Sequence, residues 1–158
     1  GLERRAKRAN PEARRAPPAD AVSFFTPKTD PKLFRCGCAR PECDALPPSA
    51  DLLARLETLR YRFERPIQVT SGPRCAWYNR QPAVGGAADS DHLTGQGADL
   101  ATADSRTRYA LLQANFHGPP VFRRLGIGAT FLHVGVVPEK IYDVAWCYYP
   151  KPTKEGLP

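Results

Sequence analysis

Three side chains are placed where ordinary packing does not call for them. His92 lies in the polar run SDHLTGQG, where no core needs an imidazole. Asp99 follows Gly97-Ala98 and precedes Leu100-Ala101, and a carboxylate pushed into an apolar strand is costly unless a cation or metal meets it. His133 is flanked by Phe131, Leu132, Val134 and Val136, which sets it on a core strand. Two imidazoles and one carboxylate make a catalytic zinc set with one position left for water. Taken singly, each residue has a plainer reading. A strand histidine is often a satisfied core residue, and a strand aspartate often caps a turn or pairs with an arginine.

The five cysteines are a second source of chemistry. Cys36, Cys38 and Cys43 cluster in FRCGCARPEC, while Cys75 and Cys147 stand apart. A C-x-C-x4-C cluster can supply a structural zinc site if Cys75 or Cys147 folds back onto it. Disulfides are the rival reading and fit an exported protein better, with free thiols the remaining alternative.

Elements that would position these residues can be read from periodicity and caps. Ser49 is a good N-cap after Pro47-Pro48, and Leu52, Leu56, Leu59 and Phe63 recur at helical spacing, so residues 50–63 are expected to be an amphipathic helix. PIQVTSG is expected to be a short strand, and Pro73 to Gly97 a long irregular stretch, which in a compact domain is usually functional or disordered. GADLAT reads as a strand. Asp104 or Ser105 caps a helix over about 105–116 with Tyr109, Leu112 and Phe116 inward, and a helical turn is expected around Val121–Leu125. TFLHVGVV is the clearest strand, with Phe131, His133, Gly135 and Val137 on one face. DVAWCYY, 143–149, is the last. AVSFFTPKTDPKLFRCGC reads as a short extended segment leading in. Without βαβ alternation, the fold class is α+β with a mainly antiparallel sheet.

Bulk properties bound the rest. A chain of 158 residues, 42% hydrophobic, suits one domain with a tail to spare. No apolar run approaches the ~20 residues needed to span a bilayer. The net charge of +7 and pI near 9.4 favour anionic partners without choosing among nucleic acid, membrane surface and cell wall. Arg4, Arg5, Lys7, Arg8, Arg14 and Arg15 against Glu3 and Glu12 place a net +4 of that charge in the first fifteen residues. Residues 1–22 are therefore expected to be a basic, poorly ordered arm, 23–150 the domain, and 151–158 a polar tail. The chain opens on Gly and has no Met, so a processed chain is expected and any signal peptide would be missing.

The run SGPRCAWYNRQPAVGGAADSDHLTGQGADL closely resembles the SGxR…N…VGGA…SxHxxGxAxD signature of the M15 peptidases, the D-Ala-D-Ala carboxypeptidase and endolysin family. GIGATFLHVGVVP followed by Trp146 resembles that family's second block, so the likeness covers about residues 33–150. It implies the fold shared by hedgehog signalling domains and D-Ala-D-Ala peptidases, a small antiparallel sheet with helices on one side. It also implies Zn2+ held by His92, Asp99 and His133, with a metal-activated water attacking a peptide carbonyl of peptidoglycan stem peptides or cross-links.

On the same resemblance, Arg74 faces substrate as a catalytic residue holding a carboxylate or the oxyanion; a structural pair with an acidic neighbour is its alternative. Ser90 would orient His92 or Asp99. Asn79 and Gly85-Gly86 look structural, Trp146 is core or a cleft wall with core favoured, and His117 is a surface residue.

The pattern departs from the family at one place. Relatives often carry an acidic residue three before the final histidine or two after it, and here those positions are Thr130 and Gly135. Asp91, Glu139 and Asp143 are the nearest carboxylates in sequence, and the space left at Gly135 could admit one of them. A non-catalytic zinc-containing wall-binding or virion module is the rival reading. Nucleic-acid binding rests on charge alone, since the folded region lacks a basic and aromatic stripe. A cell-envelope location, periplasmic or extracellular, or a phage origin is implied, with a monomer expected. Bond specificity, carboxypeptidase or endopeptidase, depends on how open the cleft is.

Overall fold

The computed structural model describes residues 16–148. Most of the expected basic arm, and all of the 151–158 tail, lie outside the described residues. Its elements are α1 (Pro31–Phe34), α2 (Ala50–Phe63), β1 (Val69–Ser71), α3 (Ala76–Asn79), a 3-10 turn (Asp91–Thr94), β2 (Gly97–Ala101), α4 (Ser105–Phe116), β3 (Arg124–Ile127), β4 (Phe131–Gly135) and β5 (Val144–Cys147). The five strands form one sheet in the order β1-β2-β4-β3-β5. Every pairing is antiparallel except β3 with β5, which is parallel. The fold is thus α+β around a mixed sheet.

The caps act as the sequence suggests. Ser49 accepts from the Leu52 amide at the start of α2, and Asp104 accepts from Thr107 at the start of α4, satisfying amides that have no partner inside the helix. Leu52, Leu56 and Leu59 of α2 and Leu111 of α4 pack into one core with Ala98, Leu100, Leu132 and Val134 of the sheet. Because successive strand residues point to opposite faces, burying Leu100 and Leu132 puts Asp99 and His133 on the other face.

Three expectations are corrected. The inward face of α4 is rotated: Leu111, Ala114 and Asn115 are buried, while Tyr109 and Phe116 are exposed and only Leu112 packs partly against the core. The reason is Asn115, whose amide both donates to the Phe122 carbonyl (3.0 Å) and accepts from the Phe122 N–H (2.8 Å), so a polar residue takes an inward position. The segment after α4 forms no helical turn; Arg124–Ile127 pairs with β4 instead. The leading segment is not wholly extended, because Asp30 caps the helical turn α1.

Candidate metal centre

One row of side chains crosses the whole sheet. Ser71 of β1 is opposite Asp99 of β2, Asp99 is opposite His133 of β4, His133 is opposite Gly126 of β3, and Gly126 is opposite Trp146 of β5. The 3-10 turn immediately before β2 adds His92 to that row. Ser90 caps this turn by accepting from the His92 amide (3.4 Å), so its hydroxyl orients the backbone and touches neither the His92 ring nor Asp99.

His92 Nε2 lies 3.2 Å and His133 Nδ1 2.9 Å from the same oxygen, Asp99 Oδ1. The partners on the far side of each ring decide what this contact is. His92 Nδ1 is 2.6 Å from the Gly72 carbonyl, which can only accept, so Nδ1 carries the proton and Nε2 offers a lone pair. His133 Nε2 faces Asp91 Oδ2 at 3.4 Å, an acceptor that can hold a proton on this outer nitrogen while Nδ1 turns to a metal. Two imidazole nitrogens and a carboxylate oxygen therefore converge, an arrangement that a cation between them would satisfy. A ring held by a carbonyl or carboxylate on its outer nitrogen is how metal-bound histidines are usually oriented. The three ligand atoms lie within 4.8 Å of one another. The residues present fit a metal.

The charges agree. Burial holds His92 below its ordinary value, so it is neutral and able to ligate. Burial alone would depress His133 as well, but Asp91 and Asp99 outweigh it and raise its pKa, so without a metal the ring favours a second proton that an ion would have to displace. Burial would raise Asp99, yet His133 and His92 keep its carboxyl well below the usual range.

Arg74 sits in the wall of this cleft, held by three partners. Its Nη2 bridges to Asp99 Oδ2 (2.9 Å), its Nε donates to Ser71 Oγ (2.9 Å), and its Nη1 reaches Asn79 Oδ1 (3.5 Å). Asn79 in turn donates to the Ala87 carbonyl (2.8 Å), and a side chain at Gly86 would collide with its amide, so both are structural as read. Trp146 is half-buried and lines the cleft, with its ring 5.7 Å from that of His133; it is a wall rather than core, because Gly126 between them has no side chain. His117 is exposed.

The cleft has a volume of about 550 Å³. Of the three carboxylates nearest in sequence, Asp91 reaches it, whereas Glu139 is exposed and Asp143 pairs with Arg123 at the surface. Asp91 is held by Lys140 (2.7 Å) and Arg124 (3.4 Å) as well as by His133. Lys140 and Arg124 were not legible as site residues, since nothing in their local sequence distinguishes them from surface cations.

Residues 29–134 match the family model described as Peptidase M15. The chain belongs to the Peptidase M15 family. That segment contains Arg74, His92, Asp99 and His133, and stops before Gly135, Lys140 and Trp146. M15 peptidases are zinc-dependent, which agrees with the donor set here. Comparison with curated proteins gives no match. Among the described residues, no helix is long and apolar enough to cross a membrane.

Proposed function

We propose that this M15 metallopeptidase hydrolyses peptide bonds of peptidoglycan, in stem peptides or their cross-links, with zinc held by His92 Nε2, Asp99 Oδ1 and His133 Nδ1. The observation that carries the reading is the convergence of two imidazole nitrogens on one Asp99 oxygen inside an open cleft. When bound, zinc supplies Lewis acidity toward a peptide carbonyl and makes water easier to deprotonate. The Gly72 carbonyl and Asp91 hold protons on the outer nitrogens of His92 and His133, keeping the inner ones bare. Arg74 fixes Asp99 Oδ2 so that Oδ1 faces the histidines. Its cleft-facing edge, with Arg124 and Lys140, gives an anionic stem peptide a cationic wall to meet.

Asp91 and Asp99 are both committed to partners, which leaves Asp89 as the cleft carboxylate free to accept a proton. Asp89 is exposed at the rim and held only by Lys140, 3.3 Å away. The fold is taken to be that of hedgehog-type domains, and the site of action the cell envelope or a phage lysis system. Incubation with purified muropeptides, with and without chelator, tests the proposal. Zinc-dependent release of a new amine is expected, and no loss of any stem peptide or cross-link would overturn it.

The commitment of Asp91 and Asp99 favours one second reading, a zinc-stabilised wall-binding module. Retention on purified sacculi without any released amine distinguishes it from the peptidase.

A further inference from the structure

A second cluster of metal-ligating side chains lies outside the cleft. Cys36, Cys38 and Cys43 of the leading segment meet Cys75, which caps α3, and the four sulfurs all lie within 4.8 Å of one another. The thiols are free, and Cys36 Sγ is 3.7 Å from Cys75 Sγ. A disulfide requires about 2.05 Å. Four sulfurs at about 2.3 Å from a tetrahedral zinc would be about 3.8 Å apart, close to the 3.7 Å between Cys36 and Cys75 and within the 4.8 Å bound on the whole set. Two disulfides need only two close pairs, whereas mutual proximity of all four is what one central ion demands.

The backbone also treats these sulfurs as acceptors. The Arg40, Cys75 and Tyr78 amides donate to Cys38, Cys36 and Cys75 Sγ, each at 3.4 Å. To aim the Arg40 amide back at Cys38, Ala39 adopts φ +52°, a left-handed conformation unfavourable for a residue with a Cβ. Cys75 follows Arg74, whose amide donates to the His92 carbonyl (2.9 Å), so an ion here would anchor the loop that backs the cleft.

We propose that Cys36, Cys38, Cys43 and Cys75 bind one structural zinc ion that ties residues 36–43 to the loop carrying Arg74. Four thiolates close the coordination sphere and leave no open position, so the ion stabilises and does not catalyse. Soft sulfur donors in a tetrahedral set select zinc over magnesium or calcium.

The test is metal analysis of the full chain purified under reducing conditions, with two variants. Wild type is expected to hold two zinc ions, His133→Ala one, and Cys38→Ser/Cys43→Ser one. Cobalt-loaded His133→Ala should show a thiolate-to-cobalt charge-transfer band, which histidine and carboxylate ligands cannot give. Exposed Cys147 is the internal control: it should react with a thiol reagent at once, while the other four react only after chelation. If the cysteine variant does not fold, the His133→Ala measurements decide alone. Disulfides among the four residues, iron in place of zinc, or no charge-transfer band would overturn the proposal. Because the readout is metal and thiol content, it fails or succeeds independently of peptidase activity.

Discussion

The carboxylate of Asp91 occupies the space that a side chain at Gly135 would fill: a Cβ built there collides with Asp91 Oδ2. Position 135, two residues after His133, has no side chain of its own, and a carboxylate from a different segment has taken the room. It does so beside His133 Nε2, on the outer side of the ring. Asp91 therefore orients the ligand and is poorly placed to accept a proton from water.

Gly135→Ala should consequently act through Asp91. The added methyl displaces the carboxylate, frees the His133 ring, and should weaken zinc binding about 10–100-fold, the usual effect of losing an outer partner of a ligand. Competition for zinc with a chromophoric chelator measures it. An unchanged affinity would mean that Asp91 does not hold the ring.

Asp91→Asn carries a pH signature with a definite sign. Burial would raise the Asp91 carboxyl, but His133 and Lys140 hold it well below its ordinary value of 3.8. A carboxyl whose pKa is depressed by folding contributes stability above its unfolded value, and that contribution is lost as pH falls through the folded value. Wild type should thus exceed Asp91→Asn in stability at neutral pH, with the gap closing as pH falls below about 4. Urea denaturation of both proteins after chelation, across pH, checks this; a gap that widens below about pH 4 would contradict it.

The fold was legible wherever one face was apolar and its ends were capped. α2 has the expected bounds because Ser49 and the Leu52-Leu56-Leu59 spacing agree, and Leu132 and Val134 dictate that His133 faces away from the core. Where a polar group does structural work, the pattern misled: Asn115 turned α4 about its axis. The metal-ligand candidates were legible because Asp99 and His133 sit on apolar strands and the runs around all three residues resemble the M15 signature. The role of Asp91 was only half legible, as Gly135 signalled a space but not what fills it. Tertiary partners such as Lys140 and Arg124 leave no mark in local sequence.

Asn115→Ala tests the rotated helix. Removing the amide leaves the N–H and carbonyl of fully buried Phe122 unpaired, at about 1–3 kcal/mol each. A loss of at least about 2 kcal/mol in denaturant unfolding is expected, with zinc content unchanged, because Asn115 is not among the residues lining the cleft. A loss below half that value would show that water or a shifted strand replaces the amide.

Asp89 and Asp91 lie two residues apart and are both bonded to Lys140, yet they should fail differently. Asp91 is buried against His133, so its loss should lower zinc occupancy and, with it, activity. Asp89 is exposed and touches no ligand, so Asp89→Asn should leave zinc content and melting temperature unchanged while lowering kcat about 10²-fold or more, as expected for loss of a general base. Its kcat should fall more than its KM changes, because a proton acceptor works in the transition state rather than in substrate binding. Muropeptide turnover alongside metal analysis separates the two variants. If Asp89→Asn turns over at the wild-type rate, the proton goes elsewhere, and proton acceptance by Asp89 is excluded.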